Sequence, residues 1–297
     1  MQLKFLGRRV WVGIGIIVLL ALLGGLAWGM QGRGLPHAML SRVRGFFGMC
    51  KAVLESPAAA TDGDFANAIF LHHSTGRNLI QQGGVREHLT TAAFQFWDHD
   101  YNREGLTRPD GQRAGYGYNI PDDNTNPDGF AQIFSQRLYS RPLNAFSGLM
   151  QHDVIIFKSC FPVSQITSDA QLEQYKVHYL GMLEVMDQHP DHIFIAVTPP
   201  PLNPAETDAE TAARARAFAD WLTSDDFLGG HPNVFTFDFF DLLAERDPSA
   251  PDYNMLRAAY REGQDSHPNR LANQTIGPLF ADFVTGSVQM YRAELAE

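Results

Sequence analysis

Two short segments, far apart in the chain, carry side chains that together can perform acyl transfer. The first reads Ile69-Phe70-Leu71-His72-His73-Ser74-Thr75-Gly76 and the second Gln264-Asp265-Ser266-His267-Pro268-Asn269. Ser74 supplies a hydroxyl nucleophile, His267 a base that can take its proton, and Asp265 a carboxylate that can fix the imidazole tautomer. Asp265 and His267 are two positions apart, so in an extended segment both side chains leave the chain on one side. One imidazole nitrogen can then meet the carboxylate while the other faces Ser74. These residue types imply a serine hydrolase or acyltransferase. A competing constellation of His72, His73, Asp265 and His267 has the donors of a zinc-like site whose bound water would replace the serine. Against it, adjacent histidines on a strand point to opposite faces.

The elements that must position these groups are legible as alternating apolar runs and helical patterns past residue 65. Strands are expected over 67–71, 94–97, 153–157, 192–197 and 233–237, several of them continuously apolar, as in parallel strands buried on both faces. Helices are expected over 128–139, 169–188, 206–223 and 272–284. This alternation predicts a three-layer α/β/α domain around a mainly parallel sheet of about five strands. Ser74 then falls at the carboxyl edge of the sheet and beside a helix N-terminus, where backbone N–H groups can stabilise an oxyanion. Asp265 and His267 fall in a polar turn before the last helix, which can deliver an imidazole to the same edge.

Residues 105–125, rich in Gly, Asn, Asp, Arg and Tyr, are too long for an ordinary connection and read as a functional loop at that edge. Trp97, Tyr101, Tyr116 and Tyr118 around it offer faces for stacking on sugars or serve to hold the loop down. The rigid run Thr198-Pro199-Pro200-Pro201-Leu202-Asn203-Pro204 either walls the pocket or connects β-strand to helix.

The two segments resemble the SGNH (GDSL-like) hydrolase superfamily: Ser74 after the first strand, and an Asp and His pair in a stretch ending His267-Pro268-Asn269 before the last helix. The resemblance spans roughly residues 65–285. It implies a flavodoxin-like fold, a Ser74, His267 and Asp265 triad acting through an acyl-enzyme, and no cofactor. The family's Gly-Asp-Ser is His72-His73-Ser74 here, and its Asp and His stand three apart rather than two. The Asp-x-His spacing is similar to that of alginate-type O-acetyltransferases of the same superfamily. The asparagine that the family carries after the third strand is absent from Lys158-Ser159-Cys160. The segment Asp122-Asp123-Asn124-Thr125 likewise lacks the family's glycine. Candidate oxyanion or substrate contacts are therefore the Ser74 backbone N–H, Asn124, Lys158 and Ser159, with His73 lining the pocket. Three activities fit: an esterase, an O-acetyltransferase, or a catalytically silent carbohydrate-binding module that keeps the fold.

The N-terminal segment leads us to expect the reaction outside the cytosol. From position 10 to position 30 run 21 residues without a charge, preceded by Lys4, Arg8 and Arg9. That length matches a transmembrane helix, and the flanking charges keep residues 1–9 cytoplasmic. Ala27-Trp28-Gly29 also leaves a cleaved signal open. Residues 31–64 read as an amphipathic juxtamembrane segment, either on the membrane surface or docked on the domain, followed by a linker. The catalytic domain is expected at 65–297, periplasmic or extracellular.

Residues 1–55 hold seven of the 23 basic residues and one of the 33 acidic ones. The remainder, at a net charge near −16, excludes nucleic acid and anionic lipid as partners for the domain. The expected partners are the membrane, through the N-terminal helix, and an ester-bearing small molecule or polysaccharide. Cys50 and Cys160 form no metal-binding spacing, and Cys160, at the end of an apolar run, reads as a buried thiol. A disulfide between them stays open.

Overall fold

Apolar runs of four or five residues become strands here because turn-forming residues bound them and both faces are covered. The computed structural model describes residues 37–55, 64–120 and 126–296. The expected membrane anchor, most of the expected linker and Asn124 lie outside those residues. Among the described residues no helix is long and apolar enough to cross a membrane. In chain order the elements are α1 (His37–Glu55), β1 (Asn67–Leu71), α2 (Ser74–Gly83), α3 (Val85–Thr91), β2 (Gln95–His99) and β3 (Leu106–Thr107). They continue with α4 (Pro127–Phe134), α5 (Ala145–Leu149), β4 (Val154–Lys158), α6 (Asp169–Met186), β5 (Ile193–Val197) and α7 (Ala209–Leu222). The last are α8 (Asp225–Leu228), β6 (Val234–Phe237), α9 (Phe239–Leu243) and α10 (Arg270–Glu294).

The chain divides into two units, Met1–Val43 and Arg44–Glu297, and the described part of the first, residues 37–43, is helical. In the second unit the remainder of α1 contributes Ala52 to the buried core, and the Val53 carbonyl accepts a hydrogen bond from Arg141 Nη1 at 2.8 Å.

The six strands form one sheet in the order β3-β2-β1-β4-β5-β6. Five are parallel; β3 runs antiparallel to β2, pairing Asp98 with Thr107 and His99 with Leu106. This corrects the expected count of about five: β3 is two residues long and too short to carry a periodic signal within 105–125. A further bridge, Thr107 to Arg113, folds part of that stretch back on itself. The expected helix over 128–139 also stops early, at Phe134. Polar side chains there capture backbone groups that a longer helix would use: Ser135 Oγ donates to the Gln132 carbonyl, and Ser147 Oγ accepts from the Tyr139 N–H. A new helix, α5, then starts under the Asn144 cap, whose side chain accepts from the Ser147 N–H.

Strand periodicity divides the core. Ile69, Leu71, Ile155, Phe157, Phe194 and Ala196 point to one face, under α4 to α8. Ala68, Phe70, Phe96, Ile156, Ile195 and Val197 point to the other, under α2, α3, α9 and α10. The result is an α/β fold with helices on both sides of the sheet. Chain direction reverses its lateral progress between β1 and β4, and in open parallel sheets that switch point opens a crevice at the carboxyl ends of the strands. Ser74 follows β1 and Lys158-Ser159-Cys160 ends β4, so both chain segments border the crevice.

Candidate active site

The turn from β1 into α2 is made by His72 and His73, and Ser74 is the first residue of the helix. Its tightness depends on Gly76, where a Cβ would fall 2.4 Å from the His72 Cβ. His73, at the N-cap, is extended (φ −126°, ψ −150°) and offers no side-chain cap to the first turn. The first N–H groups of α2 therefore stay available at the position of Ser74.

His267 reaches this point from the other side. The segment 263–266 is clamped by Asn203 in the proline-rich loop after β5: Asn203 Nδ2 donates to the carbonyls of Gly263 and Asp265, each at 3.2 Å. The Asn203 N–H donates to Ser266 Oγ at 2.9 Å, and Ser266 Oγ in turn donates to Glu206. Asn269 then caps α10 by accepting from the Ala272 N–H. Held between these anchors, His267 Nε2 lies 2.8 Å from Ser74 Oγ, and His267 Nδ1 lies 2.8 Å from both oxygens of Asp265. The edge of the Phe161 ring packs on the imidazole, centroids 4.8 Å apart.

The carboxylate accepts from Nδ1–H, which leaves the Nε2 lone pair to accept the Ser74 O–H. Burial acts to raise the Asp265 carboxyl, but hydrogen bonds from the His267 ring and backbone and from the Ser266 backbone outweigh it and hold Asp265 below the usual range. The Asp265 side chain is 58% exposed and the His267 side chain 29%, so this dyad faces solvent.

The other expected site residues fare differently. His73 is buried, with its ring 3.6 Å from that of Tyr101, centroid to centroid. Lys158 and Ser159, expected as donors beside the nucleophile, use their polar atoms elsewhere: Lys158 Nζ donates to the Ser159 carbonyl at 2.7 Å, and Ser159 Oγ pairs with the Tyr179 hydroxyl at 3.2 Å. The β4 segment instead presents Cys160, whose Sγ is 4.0 Å from Ser74 Oγ and 3.6 Å from Thr75 Oγ1. Cys160 is a buried free thiol and Cys50 an exposed one.

Tyr116 and Tyr118, considered as stacking faces, are buried in the core instead; the Tyr118 hydroxyl meets His152 Nε2 at 3.1 Å. The constellation considered for a metal is not assembled: His72 Nε2 faces Asp98 at 3.2 Å, away from Asp265 and His267. Among the described residues, no three His, Cys, Asp or Glu side chains are grouped to hold a metal ion. Sequence reasoning missed Asn203 as the clamp of the His267 segment; its position in a rigid loop at the carboxyl end of β5 was the available signal.

Lys158 has a consequence for stability. It is fully buried, stacked 5.7 Å over the Phe239 ring, and burial pushes its ammonium from 10.5 down to about 8. The unfolded chain keeps this proton up to pH 10.5 while the folded chain releases it near pH 8, so between these values the unfolded state binds more protons and stability rises with pH. Below pH 8 the whole cost of the buried charge is present, about 3 kcal/mol at most. Lys158→Met removes that cost and forfeits one hydrogen bond worth about 1 kcal/mol. Urea denaturation should show the variant more stable than the parent at pH 7 by about 2 kcal/mol, with the advantage lost by pH 10.

A polar cavity of about 410 Å³ opens beside the nucleophile's helix, lined in part by Arg77, Gln81, Arg86, Asp98, Glu104 and Arg113. Arg77 and Gln81, four apart on one face of α2, both line it, so the cavity runs along the helix that begins at Ser74. Four of its charged side chains are paired: Arg86 with Asp98, which also faces His72, and Arg77 with Asp100. Burial raises the Asp98 carboxyl, but the His72 hydrogen bond and charge and the Arg86 charge more than reverse this and hold it below the ordinary range.

No family model matches this chain, and no curated protein matches it. Among solved structures, it is similar to a crystal structure of a "putative acylhydrolase" from Bacteroides fragilis, with a TM-score of 0.47 and 12% sequence identity over 80% of this chain and 94% of that one. At that identity no residue role carries over from one chain to the other.

Proposed function

We propose that residues 65–297 are the catalytic domain of a serine esterase of the SGNH type, with Ser74 as nucleophile, His267 as general base and acid, and Asp265 as the carboxylate that orients it. The hydrogen-bonded run from Ser74 Oγ through His267 to Asp265, at the crevice of a doubly wound sheet, carries this reading. Without β3, the sheet has the strand order 2-1-3-4-5 of flavodoxin-like domains, which favours the same assignment.

The chemistry follows from the geometry. Ser74 Oγ attacks the ester carbonyl as its proton passes to His267 Nε2; the new O–C bond forms while the carbonyl π pair moves onto oxygen. The resulting imidazolium is stabilised by Asp265, and the oxyanion by N–H groups at the start of α2. Collapse of the intermediate breaks the bond to the alcohol, which leaves with the proton from Nε2. Water, deprotonated by the same nitrogen, then releases the acid and restores Ser74.

The cavity along α2 has charged, hydrogen-bonding walls with Ile80 as an apolar patch, which suits a polyhydroxylated alcohol better than a long acyl chain. Together with the uncharged run at residues 10–30, this supports an acetyl or similarly short ester of an envelope or exported polysaccharide, approached by a domain anchored in the membrane and facing outward. A fluorophosphonate probe tests the acyl-enzyme directly. It should label the wild-type protein once per chain and leave Ser74→Ala unlabelled; a folded wild-type protein that resists the probe, or equal labelling of the variant, rejects the reading.

A further inference from the structure

The reaction proposed above places a negative charge on the former carbonyl oxygen, and the N–H groups of one helical turn are only part of what is needed to hold it. Tyr101, just past β2, carries a further donor beside this turn. Its placement is fixed from three directions. The Tyr101 N–H donates to Asp100 Oδ1 at 2.8 Å, and Asp100 Oδ2 accepts from Arg77 Nε. The Arg77 guanidinium lies over the Tyr101 ring at 5.9 Å. The His73 ring also meets the Tyr101 ring, centroids 3.6 Å apart. His73 and Arg77 flank Ser74 along the chain, so the phenol is seated over the first turn of α2.

We propose that the Tyr101 hydroxyl is a catalytic donor to the oxyanion, completing with the Ser74 backbone N–H the hole that the acyl-transfer reaction requires. In the resting site the Ser74 O–H donates to His267 Nε2, and the Tyr101 ring lies against His73, the residue before Ser74. Once the Oγ–C bond has formed, the oxyanion is two bonds from Oγ, beside the first turn of α2, where the His73 and Arg77 contacts hold the phenol and a side-chain rotation can bring its hydroxyl to the charge. The proton stays on Tyr101 throughout: its hydrogen bond to the oxyanion forms as the charge develops and is given up on collapse, and no bond to the phenol oxygen breaks. Burial raises the phenol above its ordinary range, as do the nearby Cys160 and Asp100, against smaller lowering by Arg77 and the Ser74 hydrogen bond, so Tyr101 remains a donor at working pH. Side-chain donors of this kind typically contribute about 10²–10³ in rate.

Because this role rests on the esterase reading, the experiment separates the two. Tyr101→Phe keeps the ring against His73 and Arg77 and removes only the hydroxyl. With an acetyl ester as substrate, kcat should fall by about 10²–10³ with KM changed less than about threefold. Affinity for an alkyl boronic acid, whose adduct on Ser74 is tetrahedral and anionic, should fall by a comparable factor. Labelling by a fluorophosphonate should persist at a reduced rate. An active wild-type protein whose Tyr101→Phe variant keeps kcat and boronate affinity within about threefold overturns the role of Tyr101 and leaves the esterase reading standing. A wild-type protein that neither hydrolyses esters nor takes the probe overturns the esterase reading and this role with it. Should Tyr101→Phe melt below the assay temperature, 3,5-difluorotyrosine at position 101 keeps shape and donor. Boronate affinity should then become pH-dependent across the ionisation of the fluorinated phenol, and a flat profile counts against the proposal.

Discussion

Alanine at Ser74, at His267, or at both should lower kcat for an acetyl ester by one common factor, about 10⁶, with little change in KM. The two side chains are joined by a 2.8 Å hydrogen bond and act in a single proton transfer, so once either is missing the other has nothing left to do. Free energies that added across the double variant would mean that the two residues act separately, and would reject the shared step. Residual activity should come from the N–H groups of α2 and from Tyr101, which stabilise an attack by water without the nucleophile. Asp265→Asn should cost less, about 10⁴. It keeps an acceptor near Nδ1 but can turn an N–H toward the ring, and its 58% exposure lets water take over part of the carboxylate's work. Steady-state kinetics on the three single variants and the double variant give all four numbers.

How far the sequence foretold this site depends on the range of the interactions involved. Ser74 and His267 are legible because each sits at a boundary with a local signature: the end of a continuously apolar strand in one case, a polar turn ahead of a capped helix in the other. A spacing of two from Asp265 to His267 suffices to put the side chains together, whatever the rest of the chain does. Parallel strands were readable for a similar reason where burial on both faces leaves a run without a polar residue, as at Ile193–Val197. Asn203 and Tyr101 were not assignable in this way. Asn203 is 60 to 63 residues from the groups that it clamps, and Tyr101 is brought to Ser74 by the pairing of β1 with β2 and by Asp100 and Arg77, none of which leaves a mark in spacing. Lys158 shows the opposite failure: a cation beside a strand end looks like a donor to an oxyanion, but the strand's alternation turns its side chain into the α2 and α10 side of the core, where Phe239 and the Ser159 carbonyl take it up. Strand β3 was hidden because two residues cannot display a period.

Gly277→Ala should destabilise the domain by about 3 kcal/mol, the upper end of the usual cost of overpacking, and lower the melting temperature by about 6–12 °C. Helices α2 and α10 touch backbone to backbone at Gly83 and Gly277. A Cβ on Gly277 would stand 2.2 Å from the Gly83 carbonyl oxygen and 2.6 Å from its Cα, and a Cβ on Gly83 would stand 2.4 Å from the Asn273 carbonyl oxygen. None of these atoms belongs to a flexible side chain that can swing away, so the helices must separate. That separation reaches the chemistry, because α2 begins at Ser74 and α10 follows His267 by two residues. The Asn273 side chain, which ties the start of α10 to Gln82 on α2 at 2.9 Å, moves with them. A shift of about 1 Å between the two helix starts stretches the Ser74 to His267 hydrogen bond beyond useful length, and kcat/KM should fall about 10²-fold at a temperature where the variant is still folded. Gly286→Ala, on the same helix but with no atom within 4 Å of the added Cβ, provides the comparison. It should leave kcat/KM unchanged and stabilise the fold by about 0.5–1 kcal/mol through the better helix propensity of alanine. Calorimetric melting and ester kinetics on the two variants decide the matter. Equal melting temperatures would show that the helices have room to part, and normal activity in a destabilised Gly277→Ala would show that the Ser74 to His267 distance is set by the Asn203 clamp rather than by the crossing of α2 and α10.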